Sequence, residues 1–226
     1  MSSEITPLKM ALRRASRSLA IGMRARIPMG HPPYPAEVAD RIESYHDEVR
    51  YATLALAIQR LETTATPGAF AEIGVYRGVT SKFIHQQAPA RRFYLFDTFE
   101  GFPEQSLDGQ VDARFKDTSE QGVKALVGTS PQLIFRKGFF PATAAGLEEE
   151  RFALVMLDVD LYQPALDVLD FFYPRMTRGG YFFLHDFNFP ESGYAISRAA
   201  HEFLGDKPEL LIEIADYHGS AMFRKI

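Results

Sequence analysis

The sequence predicts an α/β fold: a mostly parallel seven-stranded sheet with a C-terminal antiparallel hairpin and an N-terminal helical extension. Three observations lead there. Short, almost wholly apolar runs alternate with helical stretches after residue 67, as strands buried on both faces should. The last two such runs are separated only by Tyr217-His218-Gly219, too short for a parallel crossover. Before residue 67 the apolar residues instead recur three and four apart.

Taken in order, residues 36–64 (from Ala36 to Thr64) read as one buried-face helix or two successive ones, stopped by Pro67-Gly68. Strands are expected at 69–75, 92–97, 132–137, 152–158, 181–186, 210–216 and 220–225, with helices near 79–88, 119–128, 142–149, 162–176 and 193–204. Five βα units closed by an antiparallel hairpin is the Rossmann-like arrangement of class I methyltransferases. The chain therefore divides into a basic N-terminal arm and helical cap at 1–66 and the sheet domain at 67–226. In the arm, Lys9, Arg13, Arg14, Arg17, Arg24 and Arg26 face only Glu4 in charge. Its irregular amphipathy suits docking on the domain, on a second subunit or on an anionic surface.

Composition narrows the function. The 226 residues are 46% hydrophobic and 24% charged, ordinary for a folded domain. The absence of cysteine excludes disulfides, thiolate metal sites and a thiol nucleophile, leaving oxygen and imidazole chemistry. A net charge of −4 without a basic groove argues against nucleic acid, and no apolar run is long enough to span a bilayer. A cytoplasmic enzyme or binding protein is expected.

Ligands of open parallel sheets lie beyond the carboxyl ends of the strands. The first strand ends in Glu72-Ile73-Gly74-Val75-Tyr76-Arg77-Gly78-Val79-Thr80-Ser81, where two glycines permit a sharp turn into a helix N-terminus and Glu72 can face a ligand amine. Asp97 ends the second strand 25 positions after Glu72, suited to two ribose hydroxyls or to capping its own turn. Together they favour S-adenosylmethionine over NAD, whose G-x-G-x-x-G is missing. At the ends of the fourth and fifth strands stand Asp158 and the pair His185-Asp186, oxygen and nitrogen donors for a divalent ion or a catalytic base. His31, His46, His85, His201 and His218 lack a partner in sequence and read as surface or packing residues, His46 being the one a cap helix can carry over the crevice. Tyr76, Phe102, Phe139, Phe140, Tyr162, Phe187 and Phe189 are candidates for an aromatic wall. The polar loop from Glu104 to Lys116, with Asp108 and Asp112, is the expected acceptor lid.

Several motifs in order resemble a known family. Pro67 to Gly78 is similar to its apolar strand leading into E-x-G-V-[YW]-R-G, and Phe96-Asp97-Thr98-Phe99-Glu100-Gly101-Phe102-Pro103 to its D-[ST]-F-E-G-[LF]-P. Gly138-Phe139-Phe140, Leu157 to Tyr162, and Tyr173-Pro174 through Gly179-Gly180 to Asp186 follow in the same order. The chain resembles, over residues 45–226, the macrocin O-methyltransferase (TylF/MycF) family, S-adenosylmethionine-dependent enzymes that methylate sugar hydroxyls.

The resemblance implies that Glu72, Gly74 and Gly78 hold the methionine part of the cofactor, with Tyr76 and Ser81 also among the cofactor-binding residues. It assigns the ribose to Asp97 and the adenosyl pocket to Thr98 and Phe99, with Gly138 in the loop after strand three. Asp158 corresponds to an acid that holds Mg²⁺ and can act as base. Family members carry two adjacent acids at the end of strand five; here the first is His185. That departure implies either a softer ion such as Mn²⁺ at Asp158, His185 and Asp186, or no ion, with His185 itself taking the proton. The leading expectation is methyl transfer to a hydroxyl of a sugar or glycosylated metabolite, in a possible homo-oligomer. A phenolic or other small-molecule hydroxyl and a non-catalytic cofactor-binding homologue are the alternatives.

Overall fold

The computed structural model describes residues 36–44, 47–102 and 114–226. The basic arm, His46 and residues 104–113 of the expected lid lie outside them. Two cap helices, α1 (Ala36–Ser44) and α2 (Glu48–Thr63), precede the sheet and belong to the same compact unit, residues 34–226. The sheet follows as β1 (Ala69–Ile73), α3 (Val79–Gln87), β2 (Phe93–Asp97), α4 (Glu120–Val127), β3 (Leu133–Lys137), β4 (Phe152–Leu157), α5 (Tyr162–Phe172), β5 (Met176–Leu184), α6 (Ala195–Leu204), β6 (Ile212–Glu213) and β7 (Ala221–Arg224). Strand order is β3-β2-β1-β4-β5-β7-β6; the first five are parallel, and β7 pairs antiparallel with both β5 and β6.

The apolar strands β1 (AFAEI) and β4 (FALVML) are buried along their whole length at the centre of the sheet. Their alternate residues feed two cores. Ala69, Ala71, Ile73, Val155 and Leu157 pack towards α5 and α6, where Leu169, Phe172, Ile196 and Ala200 lie. Phe70, Leu154 and Met156 pack towards α2 and α3 through Leu54, Ile58, Phe83 and Ile84. The period of two along a strand is thus spent on both faces. α2 therefore covers the sheet and carries its N-terminal turn to the carboxyl end of the strands.

Several expected elements are shorter than their apolar runs. Residues 142–149 form only a 3₁₀ turn at Ala142–Ala144, because Gly146 (φ +84°) leaves the helical region before a second turn can form. The helix expected at 162–176 stops at Phe172, where Pro174 turns the chain into a 3₁₀ turn. β5 then starts five residues early, at Met176. It does so through a bulge: Met176 and Tyr181 face Phe152 and Leu154, and Gly179-Gly180 take up the excess. The run at 210–216 contributes only Ile212–Glu213, an exposed two-residue edge.

Candidate active site at the carboxyl ends of the strands

The loops leaving β1, β2, β4 and β5 surround a cavity of about 460 Å³, roofed by α1, α2 and residues 114–115. Each of these loops places a non-glycine residue in the left-handed region close to its strand: Tyr76 (φ +50°), Phe99 (φ +56°), Asp160 (φ +59°) and Asp186 (φ +52°), with Phe115 (φ +61°) and Tyr194 (φ +56°) further along the β2 and β5 loops. Such conformations cost on the order of 1–3 kcal/mol each and persist where the surroundings fix them. Here they concentrate around one cavity.

On the β1 side, Gly74 is required by contact. At φ +94°, a Cβ on it would lie 1.7 Å from the Asp158 carbonyl oxygen, so the ends of β1 and β4 meet only without a side chain. Gly78 is also a packing residue, since its Cβ would press on Val123 and Val127 of α4. Glu72 is 1% exposed yet reaches the cavity lining, and it accepts a hydrogen bond from the Ser81 hydroxyl. Burial pushes its pKa well above the ordinary range, against the Ser81 hydrogen bond and with the help of the Asp158 and Asp97 charges. Beside it, the Tyr51 hydroxyl and Thr80 Oγ1 are 2.9 Å apart.

Asp97 receives the Tyr76 N–H at Oδ2 (2.8 Å) and the Phe99 N–H at Oδ1 (2.6 Å). It thus pins the β1 and β2 loops together, and each oxygen retains a further lone pair. Thr98 and Gly138 line the same wall. Phe99 does not: it is 2% exposed and packs in the core, 6.1 Å from Phe135. Of the expected aromatic wall, Tyr76, Phe102, Phe139, Phe140 and Phe189 line the cavity, joined by Phe115. Phe187 is instead buried in the core against Ile196 and its neighbours, and the Tyr162 hydroxyl is spent on Glu202. Both were assigned by proximity in sequence to a strand end, which does not fix the side a ring faces.

At the opposite wall, Asp158, Asp160, His185 and Asp186 converge. His185 Nδ1 lies 2.9 Å from Asp158 Oδ1 and 3.2 Å from Asp186 Oδ1. Burial alone would raise the Asp158 pKa, but the His185 charge and hydrogen bond outweigh it and hold the carboxylate below its usual range. Burial and Arg50 oppose the imidazolium, and the Asp158 contact overcomes them, so His185 titrates above an ordinary histidine. Asp186 is pushed up to about 8, by burial first and, against the His185 charge, by Asp158 and Asp160, with which it shares a hydrogen bond. A carboxyl pair bonded in this way shares one proton.

Sequence reasoning missed two groups here. His218, expected to be a surface or packing residue, stands with Nδ1 3.4 Å from Asp186 Oδ1 and its ring centroid 5.3 Å from that of His185. The hairpin contained the signal: β7 runs antiparallel to β5, so the turn before β7 must lie beside the end of β5. The second group is Asp47, just before α2, and Arg50 in its first turn, both almost fully buried and paired at 2.7 Å along the cavity wall. Among the described residues, two sets offer metal-ligand atoms within 4.8 Å of one another: Asp158, Asp160 and Asp186; and His185, Asp186 and His218.

Residues 44–208 match the sequence profile of the family described as macrocin-O-methyltransferase (TylF). The chain belongs to the TylF macrocin-O-methyltransferase family. It is 29% identical over 174 residues, 69% of its length, to an 8-demethyl-8-(2,3-dimethoxy-alpha-L-rhamnosyl)-tetracenomycin-C 4'-O-methyltransferase of Streptomyces olivaceus. It is 28% identical over 157 residues, 61% of its length, to a mycinamicin III 3''-O-methyltransferase of Micromonospora griseorubida. The matched stretches span 65% and 60% of these two TylF-family relatives. In fold, the chain is similar to the O-methyltransferase NovP, with a TM-score of 0.66 at 20% identity, covering 92% of this chain and 98% of that one. The class I methyltransferase arrangement expected from the strand pattern is thus present. No helix among the described residues is long and apolar enough to cross a membrane.

Proposed function

We propose that the chain is an S-adenosylmethionine-dependent O-methyltransferase whose acceptor is a hydroxyl on a sugar of a small natural product. The observation that carries this reading is one cavity with two acids on one wall, the buried Glu72 and the strand-end Asp97, and the Asp158–His185 pair on the other. The sugar acceptor is favoured by the two relatives described above, both O-methyltransferases, one named for a rhamnosyl-bearing substrate.

In this reading Glu72, with Ser81 behind it, faces the cofactor's amine, and the free lone pairs of Asp97 take the two ribose hydroxyls. Gly74 and Tyr76 follow the methionine backbone, Gly78 sets the loop, and Thr98 and Gly138 border the adenosyl group. Phe99 contributes through its backbone N–H to Asp97. The acceptor hydroxyl approaches Asp158. Its oxygen attacks the sulfonium methyl in line with the departing sulfur, the C–S electron pair remains on sulfur as a neutral thioether, and the hydroxyl proton passes to Asp158.

His185 is a positioning residue in this scheme rather than the base. A carboxylate can only accept, so Nδ1 carries the hydrogen bonded to Asp158, while Nε2 is buried without a hydrogen-bond partner. The oxygen donors of Asp158, Asp160 and Asp186 fit a divalent ion such as Mg²⁺ or Mn²⁺: Asp186 Oδ1 is a buried acceptor with no hydrogen-bond partner. Such an ion would supply Lewis acidity to the acceptor oxygen.

Calorimetric titration with S-adenosylhomocysteine tests the cofactor assignment. Wild-type protein is expected to bind it and Asp97→Ala to lose measurable binding; equal affinity in the variant would refute the assignment. NAD should give no heat with either.

A further inference from the structure

We infer that His218, with His185 and Asp186, forms a two-histidine, one-carboxylate site that selects a first-row transition ion over Mg²⁺. This rests on the cavity being the metal-assisted centre proposed above, and goes beyond it by adding a ligand from the C-terminal hairpin and an ion preference.

The distances set the case. Donors at about 2.0–2.1 Å from one ion stand about 2.9–3.4 Å apart on neighbouring vertices of an octahedron or tetrahedron. His185 Nδ1 to Asp186 Oδ1 is 3.2 Å, and Asp186 Oδ1 to His218 Nδ1 is 3.4 Å, both within that span. Neither contact is a formed hydrogen bond: Asp186 Oδ1 and His218 Nδ1 are buried atoms with no hydrogen-bond partner, which is costly unless something else occupies them. Asp186 itself is 8% exposed and His185 7%, so bulk water does not satisfy them.

Position is fixed by the fold. Asp186 turns in the left-handed region two residues after β5 and lines the cavity. Asn188 N–H donates to the Gly219 carbonyl at 2.8 Å, and a Cβ on Gly219 would strike Asn188 at 2.8 Å, so the loop after β5 and the hairpin turn carrying His218 are locked together. Charge also fits. Once an ion displaces the proton shared by Asp160 and Asp186, Asp47, Asp158, Asp160 and Asp186 face Arg50 and Arg114, leaving two negative charges for one dication.

Imidazole nitrogen is the discriminating feature. Mg²⁺ prefers oxygen and retains its waters, whereas Mn²⁺, Co²⁺ and Zn²⁺ accept nitrogen donors increasingly well. The ion takes the place of the hydrogen on His185 Nδ1, and that hydrogen moves to Nε2. His185 therefore serves either Asp158 or the ion through Nδ1.

The test uses full-length protein stripped with chelator and titrated separately with Mg²⁺, Mn²⁺ and Co²⁺, with pulsed electron paramagnetic resonance of the Mn²⁺ form. Co²⁺ is expected to bind at least about tenfold more tightly than Mg²⁺. The Mn²⁺ form should show two nitrogen couplings. His218→Gln should lose one coupling and weaken Co²⁺ binding by about 10–100-fold, while still binding S-adenosylhomocysteine as proof of folding. Mg²⁺ binding as tight as Co²⁺, a wild-type spectrum lacking nitrogen, or an unchanged His218→Gln would each overturn the site. Protein that binds the cofactor but none of these ions overturns the site alone; protein that binds Co²⁺ through two nitrogens but no cofactor overturns the methyltransferase reading alone.

Discussion

His185 Nδ1 stands 2.9 Å from Asp158 Oδ1, and this one contact ties the ends of two neighbouring parallel strands into a single acid–imidazole unit. Because Asp158 is held ionised by it, the pair behaves as a carboxylate oriented by a donor. His185→Asn, whose amide can donate in place of the ring, should retain more turnover than His185→Ala, with cofactor affinity similar in both. The comparison is a kcat measurement at saturating cofactor. Equal loss in the two variants would mean that orientation of Asp158 is not what His185 provides.

If Glu72 faces the cofactor's amine as proposed, cofactor binding is proton-linked. The folded pKa of Glu72 lies well above the unfolded value, so the stability it contributes is full below the unfolded pKa of about 4.3 and is lost as pH rises through the folded value. An ammonium group brought against it reverses that shift and expels the proton. Calorimetry in buffers of different ionisation enthalpy should therefore show net proton release on cofactor binding at pH values where Glu72 is protonated in the free protein. Glu72→Gln should abolish that release, and a release unchanged by the substitution would point to another group.

Gly74→Ala should destabilise the protein by at least about 3 kcal/mol, because its methyl would overlap the Asp158 carbonyl and the backbone is left-handed there. Urea unfolding followed by circular dichroism reads this directly. A loss under 1 kcal/mol would show that β1 and β4 can part at their ends.

Arg50→Met should cost about 3–5 kcal/mol, since it strands the buried Asp47 carboxylate whose partner it is at 2.7 Å. The double variant Arg50→Met with Asp47→Leu should recover much of that loss. Failure to recover would assign the effect to packing rather than to the unpaired charge.

The strand ends were legible because each apolar run stops at a polar residue, so Glu72, Asp97, Asp158 and His185 could be placed on one edge of the sheet from the sequence. What the pattern could not supply was contact across elements. Phe99 and Phe187 sit next to site residues in sequence, yet their rings turn into the two cores. His218 and Arg50 are far from every motif, and only the antiparallel return of β7 and the packing of α2 over the sheet bring them to the cavity. The overlong strand expectation at 210–216 failed for a related reason: an apolar run at a sheet edge has one neighbour to pair with, and only Ile212 and Glu213 do so.

The most direct measurement is transfer of labelled methyl from S-adenosylmethionine to a panel of deoxysugar-bearing natural products by wild type and Asp158→Asn, with cofactor affinity determined on the same samples. Wild type should methylate at least one sugar hydroxyl, and Asp158→Asn should lose about 10²–10⁴-fold in turnover while binding the cofactor as before. Full turnover by Asp158→Asn would contradict the role of Asp158 and, with it, the reading of this cavity as the site of methyl transfer.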